Sequence, residues 1–114
     1  PVGRIVVGRL VGKYDLEEGY NLEGAKVIKP VIGNIPLILV GGLRRRAHME
    51  EILQKNHADL ISMSRPFIRE PLIVKKFREG KTDTVSCVSC NRCLAGINSN
   101  LPTLCYYNGF PAAK

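Results

Sequence analysis

Four cysteines stand in the run CVSCNRCLAGINSNLPTLC, at Cys87, Cys90, Cys93 and Cys105, and no cysteine lies elsewhere. The spacing is C-x2-C-x2-C-x11-C. Three thiolates one turn apart, with a fourth returned by a loop, can surround one compact metal centre. The C-x2-C-x2-C run is a common spacing for three corners of a cubane iron–sulfur cluster. Zinc sites more often pair two separated C-x2-C knuckles, or cysteines with histidines. The two histidines, His48 and His57, lie well upstream and read as structural, with His57 in a helix-to-strand turn that Asn56 caps. The spacing favours an iron–sulfur cluster, with zinc, disulfides or free thiols as the alternatives. Disulfides suit secreted chains. No signal peptide opens this sequence and no apolar run approaches the ~20 residues of a membrane span. The expectation is therefore a reducing cytoplasm, thiolate ligation and no membrane partner.

A second group of residues points to an anion. The apolar run IPLILV ends in Gly41-Gly42, followed by Leu43 and Arg44-Arg45-Arg46, and the run ADLISMS ends in Ser64-Arg65-Pro66. Glycines let backbone N–H groups approach phosphate oxygens. A helix start adds partial positive charge, and arginine adds a planar set of donors. A Gly-Gly turn alone is usually just a tight turn. Paired with Ser-Arg-Pro one β-α unit later, it reads as a phosphate site at the C-terminal ends of two parallel strands. Arg45 and Arg46 read as an ordinary solvated helix start. Tyr106 and Tyr107 read as packing around the metal loop, and Asp59 as structural.

These residues need elements to hold them. Leu16, Tyr20, Gly24, Val27 and Ile28 share a helical face over 16–29, with Pro30 just past the end. Ile35 to Val40 reads as a strand buried on both faces. A second helix covers 44–56 with Met49, Ile52 and Leu53 inward. A second short strand covers 58–64 and ends at Pro66. A third helix has Pro71 in its first turn, Leu72, Ile73 and Phe77 on its apolar face, and Gly80 as its stop. The cysteine segment reads as irregular, and residues 2–11 as a loose strand or hairpin. The order α-β-α-β-α means an α/β fold with a parallel sheet and crossover helices. The segments divide as 1–15 lead-in, 16–80 α/β unit, and 81–114 cysteine-rich loop and tail.

At 114 residues the chain is one domain at most. Seventeen basic residues against ten acidic give +7, which allows a nucleic-acid partner or a phosphorylated ligand. Aromatic residues are only 6% and do not interleave with the basic ones, which argues against single-strand nucleic-acid binding. The alternative to an enzyme is a small thiolate zinc module that binds an anionic partner such as nucleic acid. The first residue is proline, which suggests a processed, cut or partial chain.

The stretch IPLILVGGLRRRAHMEEILQKNHADLISMSRPFIREPLIVKKFREGK, followed by CVSCNRC, resembles the end of the NADH:flavin oxidoreductase, or Old Yellow Enzyme, family. The resemblance spans roughly residues 17 to 109 and is nearest to the iron–sulfur branch with 2,4-dienoyl-CoA reductase and trimethylamine dehydrogenase. It implies the last quarter of an FMN-binding (β/α)8 TIM barrel plus a cysteine-rich loop. IPLILVGG would be the seventh strand and ADLISMSRP the eighth. Gly41, Gly42, Ser64 and Arg65 would hold the FMN phosphate, and Cys87, Cys90, Cys93 and Cys105 a [4Fe–4S] cluster. The implied chemistry is hydride transfer from NAD(P)H through FMN to an activated alkene or similar acceptor. The family's earlier strands, with its substrate-orienting pair and catalytic acid, have no counterpart here, so no catalytic residue is assigned. The chain alone is expected to be inactive. It is also expected to pair with the rest of a barrel, or with copies of itself as a homo-oligomer, because about a quarter of an eight-stranded barrel leaves sheet edges uncovered.

Overall fold

The computed structural model describes residues 15–111. The expected lead-in strand or hairpin at 2–11 lies outside them. The element order is α1 (Leu22–Ile28), β1 (Ile38–Val40), α2 (Arg46–Gln54), β2 (Leu60–Ser62), α3 (Arg65–Arg69), α4 (Ile73–Arg78) and α5 (Arg92–Asn98). β1 and β2 pair in parallel, with Ile38 opposite Leu60, Leu39 opposite Ile61 and Val40 opposite Ser62. α2 is the crossover between them, so the expected α/β alternation is present.

The core lies between one face of this sheet and the helices. Leu39 and Leu43 meet Ala25 from α1, Met49 and Ile52 from α2, Ile73 and Phe77 from α4, and Val85. The opposite face is open: Ile38 is 56% exposed and Leu60 54%. The reading of β1 as buried on both faces therefore holds only for the helix-facing side. Period-2 alternation sends Leu39 inward and Ile38 and Val40 outward, where nothing among the described residues covers them.

Three helices end in the same way, and the sequence explains each stop. Asn56, Gly80 and Asn100 take left-handed φ values of 55°, 66° and 56°. The following N–H then reaches back to the helix: His57 to the Ile52 carbonyl, Lys81 to Lys76 and Leu101 to Gly96. Each is a Schellman turn, which suits glycine and asparagine. The expected stop at Gly80 and the Asn56 cap are both present.

Several expectations are corrected. The first helix begins at Leu22, because Gly19 at φ +73° opens a turn in which the Leu22 N–H bonds the Gly19 carbonyl. Its expected inward face is largely exposed, and Ala25 is the side chain it buries. Leu53 and Leu72 also point outward, at 39% and 63% exposure. A separate short helix, α3, follows β2 with Pro66 in its first turn, a position where the missing N–H costs nothing. Finally, the cysteine segment is not wholly irregular, since it contains α5.

Candidate functional site

Two cavities lie side by side at the C-terminal ends of β1 and β2. The first is lined by Gly41, Gly42, Arg44, Ser64 and Arg65, with Tyr20 and Met63 among its other walls. All four residues expected to hold phosphate therefore share one pocket. The glycines are needed there for a reason beyond ligand approach. Gly41 has φ +140° and Gly42 φ +64°. A Cβ on Gly42 would lie 2.6 Å from the Glu17 carbonyl, and one on Gly41 would lie 2.8 Å from Asn21 Nδ2. Their missing side chains admit residues 17–21 against the loop. The helix-start contribution is smaller than expected, because α3 has only five residues. The donors that remain are backbone N–H groups and arginine.

Residues 17–21 strap this loop in place. Asn21 Nδ2 donates to the Val40 carbonyl at 2.7 Å. Glu18 accepts from the backbone N–H groups of Arg44 at 3.0 Å and Arg45 at 2.8 Å, and from Arg45 Nε at 2.7 Å. Partial burial alone would raise the Glu18 carboxyl, but the Arg45 and Arg44 donors outweigh it and hold it at about 2. Arg45 and Arg46 stand solvated at the start of α2, as expected, and each is also ion-paired. Arg46 Nη1 donates to the Phe77 carbonyl at 2.9 Å, and its guanidinium faces Glu50 and Asp83. Arg44 is half-buried, with Nη2 near the Val85 carbonyl at 3.5 Å and Nε buried without a partner. Asp59 is structural: it accepts from Lys29 and from the Leu37 N–H, and these donors hold its carboxyl below the usual range.

The second cavity is lined by Cys87, Cys90, Cys93 and Cys105, together with Arg65, Arg69, Tyr106 and Tyr107. The spacing thus brings four thiols to one place, and all four are unpaired. Among the described residues, no three Cys, His, Asp or Glu side chains close tightly enough to hold a single ion as they stand. Burial pushes the Cys93 thiol up, and the neighbouring Cys87 and Cys90 push it further, against donation from the Leu94 N–H and the charge of Arg65.

The thiol segment is fixed by contacts that the spacing does not announce. Residues 83–85 run beside the start of α2: Arg46 N–H bonds the Asp83 carbonyl, Val85 N–H the Arg44 carbonyl, and Arg45 and Thr84 form an antiparallel bridge. Glu70 accepts from the Ser86 N–H at 2.7 Å and from Lys76 at 2.9 Å. Burial would raise the Glu70 carboxyl, but these donors win and hold it at about 2. Ser89 and Asn91 take left-handed φ of 56° and 59°, which folds the chain around Cys90. Asn91 then stands at the N-cap position of α5, without a side-chain capping bond, and α5 carries Cys93 in its first turn.

The return to Cys105 relies on Gly96. The Tyr106 ring packs so closely there that a Cβ would lie 2.5 Å from it. Tyr106 is buried, stacks on Phe110 at 5.2 Å and donates its hydroxyl to the Pro102 carbonyl at 2.7 Å. Arg92 Nη1 donates to the Tyr107 carbonyl at 2.6 Å. Packing is thus the part Tyr106 plays, whereas Tyr107 is 42% exposed and lies under the Arg69 guanidinium.

Arg65, Cys87 and Ser89 line both cavities. The Arg65 guanidinium donates to the Asn91 side-chain oxygen and approaches the Ser89 carbonyl at 3.5 Å. It therefore leans toward the thiol segment while Arg65 also lines the first cavity.

Residues 12–84 match the sequence profile of the NADH:flavin oxidoreductase / NADH oxidase family. The chain belongs to this family. A 4,4'-dithiodibutanoate disulfide reductase from Rhodococcus erythropolis is 33% identical over 84 residues, covering 74% of this chain and 20% of that protein. An NADH oxidase from Thermoanaerobacter brockii is 36% identical over 95 residues, covering 81% of this chain and 14% of the oxidase. A stretch that long in 114 residues necessarily runs through Cys87 and Cys90, beyond the end of the family profile. A dimethylamine dehydrogenase from Hyphomicrobium sp. (strain x) is 29% identical over 77 residues, 66% of this chain and 10% of the dehydrogenase. The chain spans a fifth or less of the length of these relatives. No solved structure matches it. No helix among the described residues is long and apolar enough to cross a membrane.

Proposed function

We propose that this NADH:flavin oxidoreductase family chain is the closing part of an FMN-binding (β/α)8 barrel, with β1 and β2 as its last two strands, and that its cysteines carry a [4Fe–4S] cluster. The whole protein would be an NAD(P)H oxidoreductase with ene-reductase-like hydride transfer. One observation carries the reading: the pocket expected to take phosphate and the cavity lined by four thiols share a wall at Arg65, Cys87 and Ser89. A nucleotide phosphate and a thiolate cluster would then be neighbours, which keeps the flavin near enough to the cluster for electron exchange.

The residues suit both groups. Gly41 and Gly42 supply a loop bare of side chains, Ser64 a hydroxyl, and Arg65 a guanidinium with donors beyond those used on Asn91. The four thiols line one cavity, and the C-x2-C-x2-C spacing with a more distant fourth cysteine suits the four corners of a cubane. When bound, FMN supplies hydride chemistry and the cluster supplies one-electron storage. This chain's residues bind and orient these groups; none is assigned as a catalytic acid or base.

The open sheet face around Ile38, Val40 and Leu60 supports pairing with the rest of a barrel, or with other copies of this chain when it stands alone. The basic excess gives less support to a nucleic-acid module, since Lys29, Arg45, Arg46 and Lys76 are engaged by Asp59, Glu18, Asp83 and Glu70. Four thiolate ligands suit a reducing cytoplasm.

Flavin fluorescence titration tests the phosphate site. FMN is expected to bind more tightly than riboflavin, with inorganic phosphate competing and Arg65→Ala abolishing the difference. Equal affinity for the two flavins would contradict the reading. The chain alone should not oxidise NADH.

A further inference from the structure

Arg69 is the side chain that most directly engages the fourth thiol. Its Nη1 lies 3.6 Å from Cys105 Sγ, its Nε donates to Ser86 Oγ at 2.9 Å, and its guanidinium carbon stands 4.6 Å from the centre of the Tyr107 ring. The three contacts fix the guanidinium from three directions. Ser86 precedes Cys87, the first cysteine, and Tyr107 follows Cys105 by two residues, so one side chain on α3 ties together both ends of the ligand run. Cys105 needs such a tie. It is separated from Cys93 by eleven residues, and it is the one cysteine of the four that is exposed. Cys93, by contrast, is carried on α5.

We infer that Arg69 is a positioning residue for Cys105, holding its sulfur at the cavity and setting the reduction potential of the cluster bound there. This rests on the [4Fe–4S] reading proposed above. Reduction adds one negative charge to the cluster, shared with its sulfur ligands. A guanidinium donating to one of those sulfurs stabilises the reduced form more than the oxidised form, which raises the potential. Lysine at this position retains charge, but as a strongly hydrated point without the planar fork that reaches Ser86 and Cys105 at once and lies over Tyr107.

The test is an anaerobic redox titration, followed by electron paramagnetic resonance, of the full chain reconstituted with iron and sulfide, as wild type, Arg69→Lys and Arg69→Gln. The expected order of midpoint potentials is wild type highest, Arg69→Lys intermediate and Arg69→Gln lowest. The Gln variant should lie lower by about tenfold in the reduction equilibrium, about 59 mV for a one-electron couple. Equal midpoints, or a reversed order, overturn the inference. If Arg69→Gln assembles no four-iron cluster, wild type against Arg69→Lys decides, and equal midpoints for that pair overturn it. If the wild-type chain itself binds zinc or no metal, the cluster reading has failed and the inference falls with it.

Discussion

Gly42 and Gly80 share left-handed backbone, with φ of 64° and 66°, but their surroundings differ. A Cβ at Gly80 meets nothing within 4 Å, whereas at Gly42 it meets the Glu17 carbonyl at 2.6 Å. Gly80→Ala should therefore carry only the backbone cost, about 1 kcal/mol. Gly42→Ala adds a clash to the strain and should cost about 3 kcal/mol or more. Urea unfolding midpoints of the two variants check the difference; similar losses would mean that residues 17–21 do not press on the loop. Gly42 was legible in the sequence as a special position, but the reason was not. The sequence shows a strand followed by two glycines, and only the fold shows that the space beside them is taken by a strap from twenty residues earlier. The four cysteines were the more legible signal, because their spacing alone brings three of them together. Arg69 and Glu70 were not legible: both look like ordinary charges on a short helix, and what they touch lies 16 to 36 residues further along.

At the level of elements, two half-buried carboxylates act as latches. Glu18 holds the loop between β1 and α2, and Glu70 holds the approach to Cys87. Both carboxyls are held at about 2, below their ordinary value of 4.5. A folded-state value below the unfolded one contributes stability that is fully present above about pH 4.5 and is lost as the pH falls toward 2. Stability should therefore be flat from neutral pH to about 5 and then fall. Glu18→Gln and Glu70→Gln should each be less stable at neutral pH by about 1–3 kcal/mol, with a shallower acid limb. Denaturation followed by circular dichroism across pH checks this, and an unchanged acid limb in both variants would count against the latches. α4 gives a contrast in burial. Ile73 is fully buried and its neighbour Leu72 is 63% exposed. Ile73→Ala should cost about 2–5 kcal/mol and Leu72→Ala within about 0.5 kcal/mol, measured in the same urea series. The helical period placed Ile73 and Phe77 correctly. It misplaced Leu72 because the helix starts at Ile73, with Leu72 as its N-cap and Pro71 before the helix instead of in its first turn. It also missed α3 and α5, which are too short for an apolar stripe to stand out from their turns.

Among the described residues, a parallel pair of strands carries helices on one face and exposed aliphatic side chains on the other. The sequence conveyed the alternation, and with it the α/β class, because the buried runs and their stops are local. It conveyed less about exposure, because apolar strands read as buried whether or not the covering elements belong to the same chain. Ile38, Val40 and Leu60 are the result. The chain alone should therefore self-associate, and Ile38→Glu with Leu60→Glu should shift it toward monomer in sedimentation velocity. A wild-type chain that sediments as a compact monomer would contradict this. The central claim, that four thiols at the edge of a phosphate pocket carry an iron–sulfur cluster, is tested most directly by an anaerobic visible spectrum of the purified chain with iron, sulfide and zinc quantified on the same sample. The account predicts broad brown absorption with about four irons and four sulfides per chain; about one zinc per chain without iron would contradict it.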